Sequence, residues 1–244
     1  MLTTKSDIIN HLKREILPLE GLGAHRPGIA MGLDMVFMDE VFPQGHFPLG
    51  AVHELISEGA EAAASTAGFT AAVVSGLMKT GGPAVWIGHS PILFPPALKA
   101  FGIQPDQVIV IDLKKEKDIL WAMEETLKCP VLSAVIGELP ELSFTHSRRF
   151  QLAVEQSKTT GFILRSNPGT ETPNACIARW NIKPLLSCPE DGLPGIGHPR
   201  WQIDLLKIRN GRPHSWIVEW VNGKFRPVAD SIPSILLQPK RKTG

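Results

Sequence analysis

The stretch FPLGAVHELISEGAEAAASTAGFT (47–70) decides the fold. Within it, AVHELI (51–56) has the composition of a buried strand. The segment after it, AAASTAGFTAAVVSGLM (62–78), is uncharged between Glu61 and Lys79 and holds six Ala, four Ser or Thr and two Gly. A membrane span needs about 17–25 residues. This segment sits at the short edge of that range, and its small, hydroxyl-bearing residues suit a helix packed closely inside a core better than one facing lipid.

Strand, loop and small-residue helix, in that order, form the setting of a phosphate-binding loop. Such a loop needs G-x-x-x-x-G-K-[ST]: glycines so that backbone N–H groups point at phosphate, a Lys to reach it, and a hydroxyl to hold magnesium. Here SEGAEAAASTAGFT (57–70) offers Gly59, Ser65 and Thr66, with no Lys between Glu54 and Lys79. Glu58 and Glu61 would instead set negative charge beside a triphosphate. At about 4 Å and an effective dielectric near 20, each such pair of charges repels by about 4 kcal/mol. The one Gly-Lys pair, Gly223–Lys224, has no helix after it.

Outward from this stretch the pattern alternates. AVWIG (84–88), QVIVID (107–112), VLSAVIGEL (131–139) and GFILR (161–165) read as buried strands, QVIVID most clearly. Between them, 93–101 reads as a brief helix opened by Pro95 and Pro96. Residues 115–128 read as a helix with Ile119, Leu120, Met123 and Leu127 inward, and 145–160 as one with Phe150, Ala153 and Val154 on one face. Near-continuous apolar strands alternating with helices predict an α/β protein: a mainly parallel sheet with helices on both faces. Beyond 166, SNPGTETPN (166–174) is a loop, and CIARWNIKPLL (176–186), RWQIDLLKIRN (200–210) and HSWIVEW (214–220) predict an antiparallel C-terminal β extension with a hairpin at NGRP. Trp216, Val218 and Trp220 share one face of it, which reads as core.

At the other end, Ile8, Ile9, Leu12 and Ile16 fall on one stripe of an amphipathic helix over 4–17, followed by a Gly/Pro linker. The expected organisation is therefore an N-terminal helix and linker (1–30), a core domain (31–226) and a mobile basic tail (227–244). The 244 residues are 43% hydrophobic and 20% charged, enough for a sizeable core. A net charge of +1 excludes a polybasic nucleic-acid binder. That balance hides an uneven split: residues 1–139 hold 10 Lys+Arg against 16 Asp+Glu, and residues 140–244 hold 15 against 8. Three cysteines without a CxxC argue against a disulfide scaffold or a zinc site and for a reducing cytoplasm. No membrane segment or signal peptide is expected.

An acid at the end of a buried strand could hold a metal or its water. Asp112 and Glu138 are the candidates, and Asp112 reads more simply as a cap of the following helix. His53, between Val52 and Glu54, reads as a satisfied core or surface residue rather than a ligand.

Taken together, GLD (32–34), FPQGHFPLGAVHELI (42–56), the helix after it and the SNPGTETPNACIARW segment resemble the RecA fold, and within it the ImuA family, the RecA-like and SulA-related proteins of bacterial SOS mutagenesis operons. FPLGAVHELI (47–56) is similar to the stretch that leads into the ATP site of RecA-type recombinases, and the similarity breaks off at the loop. The phosphate-loop Lys has no counterpart, the metal-site Asp falls on Gly137 with Glu138 beside it, and the catalytic Glu falls near His89. The second DNA-binding loop of RecA corresponds to about 166–175.

The resemblance implies a non-hydrolytic accessory protein of translesion synthesis, without cofactor or catalytic residues. Its implied partners are an ImuB-like polymerase homologue, an error-prone DNA polymerase and, as a further candidate, RecA. Self-association would use the N-terminal helix. Candidate contacts to DNA or partners are Arg148, Arg149, Arg165, Arg179, Lys183, Lys207, Arg209 and Arg212. The rival readings are a divergent ATPase using Ser65, Thr66 and Glu138, and a SulA-type inhibitor of cell division.

Overall fold

Strands rich in apolar residues on both faces can only sit inside a sheet covered on both sides. The computed structural model shows such a sheet. It describes residues 35–43, 45–79, 81–91, 93–169, 172–187 and 197–228. The expected N-terminal helix and linker, GLD (32–34), Cys188 and the tail from 229 lie outside these residues.

The elements used below are β1 (Val52–Ser57), α1 (Gly59–Met78), β2 (Ala84–Gly88), β3 (Val108–Asp112), α2 (Glu116–Leu127), β4 (Ala134–Glu138), α3 (Phe144–Ser157), β5 (Thr160–Ser166), β6 (Ala178–Leu185), β7 (Arg200–Ile208), β8 (His214–Val221) and β9 (Lys224–Pro227). A helical turn at Pro95–Leu98 and short 3-10 turns fill the β2–β3 connection. All nine strands form one sheet in the order β3-β2-β4-β5-β1-β6-β7-β8-β9. The first six are mutually parallel, and β6 to β9 pair antiparallel, so β6 joins the two halves. The expected fold class is the observed one.

Each face carries its own core. On one side α1 covers the sheet, burying Phe69 and Val73 with Trp86, Phe162 and Trp180 and with the inner face of the extension. Trp216, Val218 and Trp220 belong to this core, as their shared face suggested. The small residues of α1 allow close approach: a Cβ on Gly68 would lie 3.1 Å from the Phe101 ring and 3.5 Å from Trp201. On the other side α2 and α3 bury Ile119, Met123, Leu127, Phe150 and Val154 against Val52, Val135 and Ile163.

Three boundaries differ from expectation by three residues, and one is the helix expected over 145–160, which ends at Ser157 because Lys158 turns left-handed and Thr160 already begins β5. The strand expected over 131–139 is shorter, because Val131 is exposed and pairing starts at Ala134. The helix expected from 62 starts at Gly59, so the presumed loop is helix. QVIVID, the clearest strand by composition, is also the sheet's edge, with Ile109 51% and Val110 47% exposed.

His53 lies wholly buried in the first core, stacked between Phe47 (centroids 4.6 Å apart) and Phe162 (5.4 Å). Its Nε2–H donates to Pro48 O at 2.7 Å and its Nδ1 accepts from the Trp180 indole at 3.2 Å, which describes a neutral ring. Burial depresses its pKa from 6.5 to about 4. A histidine that resists protonation when folded stabilises the fold fully above pH 6.5, and that contribution is lost as pH falls from 6.5 toward 4. The loss reaches about 3 kcal/mol near pH 4. Chemical denaturation across this range checks it: His53→Phe is expected to flatten the pH dependence, and an equally steep dependence in the variant would place its origin elsewhere.

Candidate functional site

In an open α/β sheet, ligands bind beyond the carboxyl ends of the strands, where the strand order reverses. Here the ends of β1, β2, β4 and β5 open onto a cleft of about 410 Å³, whose lining includes Ser57, Thr66, His89, Lys114, Glu138 and Ser166. The resemblance to RecA-type proteins expects a nucleotide here, and the turn at the end of β1 lacks the Gly-rich loop and Lys of a phosphate-binding loop. A single residue, Glu58, separates β1 from α1, so no loop exists to wrap a phosphate. The first amide of the helix, on Gly59, donates to Asn167 Oδ1 at 2.8 Å, while Asn167 N donates to Ser57 O at 2.7 Å. Asn167, the residue after β5, thereby takes up one of the several amides that the start of α1 offers. Glu58 and Glu61 are exposed in the same turn.

The loop positions singled out in the sequence do not converge. Thr66 faces the cleft and is buried, with no hydrogen-bond partner for its hydroxyl among the described residues. Ser65 opens onto a separate, largely apolar groove of about 600 Å³ beside Phe94, Phe101 and Trp201. Glu138 lines the cleft with Thr66, and its Oε1 accepts from the Trp86 indole at 2.6 Å. Gly137 points to the opposite face, where a Cβ would lie 2.0 Å from Met123 Sδ. The helix α2 therefore occupies the space that a family-type aspartate would need. Asp112 does not cap α2, whose N-cap Lys115 makes no side-chain bond. Its Oδ1 accepts from Ser90 N at 2.9 Å and ties β3 to the loop after β2. Among the described residues no three His, Cys, Asp or Glu are grouped to hold a metal ion.

The sequence reading missed Lys114, the one Lys or Arg among the described residues that line the cleft, which the β3–α2 connection supplies. Two acids, Glu116 and Glu138, line the same cleft, so the cation does not make it a positive site.

A second missed group lies on the α3 face. Glu54 is fully buried in β1 and holds two arginines. Arg165 from β5 donates to its Oε1 at 2.7 Å, and Arg179 from β6 donates to its Oε2. Asn174 Nδ2 also donates to Oε2, at 2.6 Å. Parallel pairing sets Glu54 beside Arg179 and puts Arg165 two positions further along β5. Arg165 and Arg179, read from the sequence as candidate contacts, are therefore enclosed, at 4% and 7% exposure, and serve the fold. Cys176 beside them is buried, and burial foremost, then the Glu54 charge, pushes its thiol pKa up. It is an inert thiol.

The same cluster fastens the end of the segment compared with a DNA-binding loop. Arg179 donates to Thr172 O at 2.6 Å, Ala175 N donates to Ser147 Oγ at 2.9 Å, and Arg209 donates to Ala175 O at 3.1 Å. Through Ala175 the structure brings Arg209 beside α3, which carries Arg148 and Arg149. These two are exposed and paired, Arg149 with Glu124 at 2.6 Å and Arg148 with Glu155 at 3.9 Å. Surface pairs of this kind contribute about 0–1 kcal/mol and yield readily to a partner. Lys207 and Arg212 are exposed on β7 and in the turn after it. Lys183 reaches Asp204 at 3.0 Å.

No protein-family model matches the chain. Two curated relatives do: Protein ImuA of Caulobacter vibrioides strain NA1000 / CB15N, and Protein ImuA of strain ATCC 19089 / CIP 103742 / CB 15. Each is 30% identical over 209 residues, spanning 81% of this chain and 86% of the relative. Relatives of that identity, matched over that share of both chains, show the family: this chain belongs to the ImuA family.

Proposed function

We propose that this protein acts in DNA-damage-induced mutagenesis as a non-hydrolytic assembly factor with a RecA-like frame. One observation carries the reading: β1 passes into α1 through Glu58 alone, and Asn167 occupies the first helical amide. A frame without a phosphate groove still offers surfaces. The partners proposed from the family resemblance are an ImuB-like polymerase homologue, an error-prone DNA polymerase and RecA. The docking face proposed is the basic one spanning Arg148 and Arg149 on α3 with Lys207, Arg209 and Arg212. Lys183, held on Asp204, lies on the adjoining strand. DNA would meet the same face through phosphate contacts.

No helix among the described residues is long and apolar enough to cross a membrane. We place the protein in the cytoplasm on its cysteine usage.

Co-purification with the ImuB-like homologue tests the assembly. Arg148→Glu with Arg149→Glu is expected to weaken the complex about tenfold or more without moving the melting temperature, by reversing charge at the rim. Failure of two folded proteins to associate would remove the proposal. The ATPase alternative has Lys114 and Thr66 on the cleft in its favour. Fluorescent ATP with magnesium is expected to show no saturable binding at millimolar concentration. Micromolar binding abolished by Lys114→Ala would establish the ATPase reading instead.

A further inference from the structure

Two open surfaces flank α1. One is the largely apolar groove of about 600 Å³, walled by Ala64, Gly68, Phe101 and Trp201 and edged by Phe94, which is 71% exposed. The other is the cleft of about 410 Å³, and Ala67 borders both. Among the described residues Glu116 and Glu138 line the cleft against one Lys, Lys114, and Glu58 and Glu61 stand exposed where α1 begins. Exposed apolar surface with a polar rim marks an interaction site. A segment that fits this pair of surfaces is apolar in one part and cationic in the next.

The chain itself carries such a segment. β9 leaves the sheet beside the groove: Pro227 pairs with Val218 and Val218 with Trp201, so Pro227 lies two strands, about 10 Å, from the groove wall. The Phe225 ring on the same strand is 6.3 Å from that of Trp201. Beyond Val228 and outside the described residues, the sequence reads ADSIPSILLQPKRKTG (229–244). Asp230 and Ser231 are turn formers. Residues 232–237 are apolar apart from Ser234, residues 240–242 are all cationic, and no acid follows Asp230. Apolar residues come first and cations second, the order in which a chain leaving β9 meets the groove and then the cleft.

We infer that residues 232–242 of this chain lie across α1, with the apolar run 232–237 in the groove and Lys240, Arg241 and Lys242 at the acidic mouth of the cleft. The lengths allow it. Four residues carry the chain from Val228 to Ile232, up to about 14 Å when extended, which covers the two strands to Trp201. Eight more reach Lys240, up to about 28 Å, against a helix about 10 Å across. Burial of the apolar side chains supplies the affinity, and charge fixes which end meets the cleft. A tether this short sets an effective concentration in the millimolar range, so a contact too weak to hold a separate peptide holds the tail. The position where a RecA-type protein would take a triphosphate is then covered by the chain's own cations.

Zero-length carbodiimide cross-linking of the full-length chain, read by mass spectrometry on a mixture of isotope-labelled and unlabelled protein, tests this. The expected products join Lys240 or Lys242 to Glu58, Glu61 or Glu116 within one chain. Their yield is expected to fall about tenfold or more in Leu236→Asp, and likewise in Phe94→Asp, because each sets a charge in the apolar groove. Trypsin cleavage after Lys240, Arg241 and Lys242 is expected to speed up in both variants. Phe94 is exposed and Leu236 lies outside the described residues, so circular dichroism of both variants is expected to match that of the parent. Absence of these cross-links overturns the inference, and so do yields indifferent to both variants. Cross-links spread evenly over surface acids such as Asp106 and Glu125 also overturn it, since the tail would then have no fixed site. Products found only between labelled and unlabelled chains overturn it in favour of a second copy's tail.

Discussion

Glu54→Gln is expected to lower the unfolding free energy by about 3–5 kcal/mol, a large part of what an ordinary domain possesses. The carboxylate accepts from Arg165, Arg179 and Asn174 with no exposure to water. Glutamine preserves shape but strands two guanidiniums inside the protein, and the cost is that of uncompensated buried charge rather than of lost contacts. Urea denaturation measures it as a fall in midpoint at constant slope. A companion variant separates charge from packing. Glu54→Leu, Arg165→Met and Arg179→Met together are expected to recover most of the loss, because apolar replacement of a whole buried ion cluster is often neutral. A midpoint for Glu54→Gln close to that of the parent would mean that water reaches the cluster.

Gly137→Asp, the substitution that would place an acid where RecA-type recombinases have theirs, is expected to cost more than about 3 kcal/mol and to create no magnesium site. A Cβ there would sit 2.0 Å from Met123 Sδ and 2.4 Å from its terminal methyl. Overpacking costs about 1–3 kcal/mol, and a carboxylate in the apolar layer between β4 and α2 adds its desolvation. Adding Met123→Ala is expected to return part of the stability by removing the clash while leaving the charge. Thermal melting with and without magnesium decides the matter: a melting temperature raised by the ion would show that the acid reaches the cleft after all.

The parallel core was legible because its strands are apolar on both faces and its helices amphipathic. AVWIG, GFILR and the helix over 115–128 lie within about a residue or two of their expected bounds. The start of α1 was not legible. Gly59 between two glutamates looks like a turn, and it does take a left-handed φ of +81°, but its amide is held by Asn167, 108 residues away in sequence, and the helix runs on from it. Glu54 was passed over for the same reason, with its arginine partners 111 and 125 residues distant. A signal did exist: a charge inside a doubly covered strand must have a buried counter-charge. Arg165 and Arg179, each inside an apolar strand, were the candidates to supply it. β3 misled in the other direction, because composition reports strand propensity and says nothing about whether a strand lies at the centre or the rim.

The direct passage from β1 into α1 also bears on how an assembly built on this protein ends. An assembly that hydrolyses a triphosphate can use that step to let go of its partners, and the spent fuel then acts as a timer. On the proposed reading, a frame whose strand and helix are welded by one residue has neither fuel nor timer. Its complexes would then persist until dilution, competition or proteolysis removes a component. The duration of a mutagenic episode would be set by how much of the protein the cell makes and how quickly it destroys it.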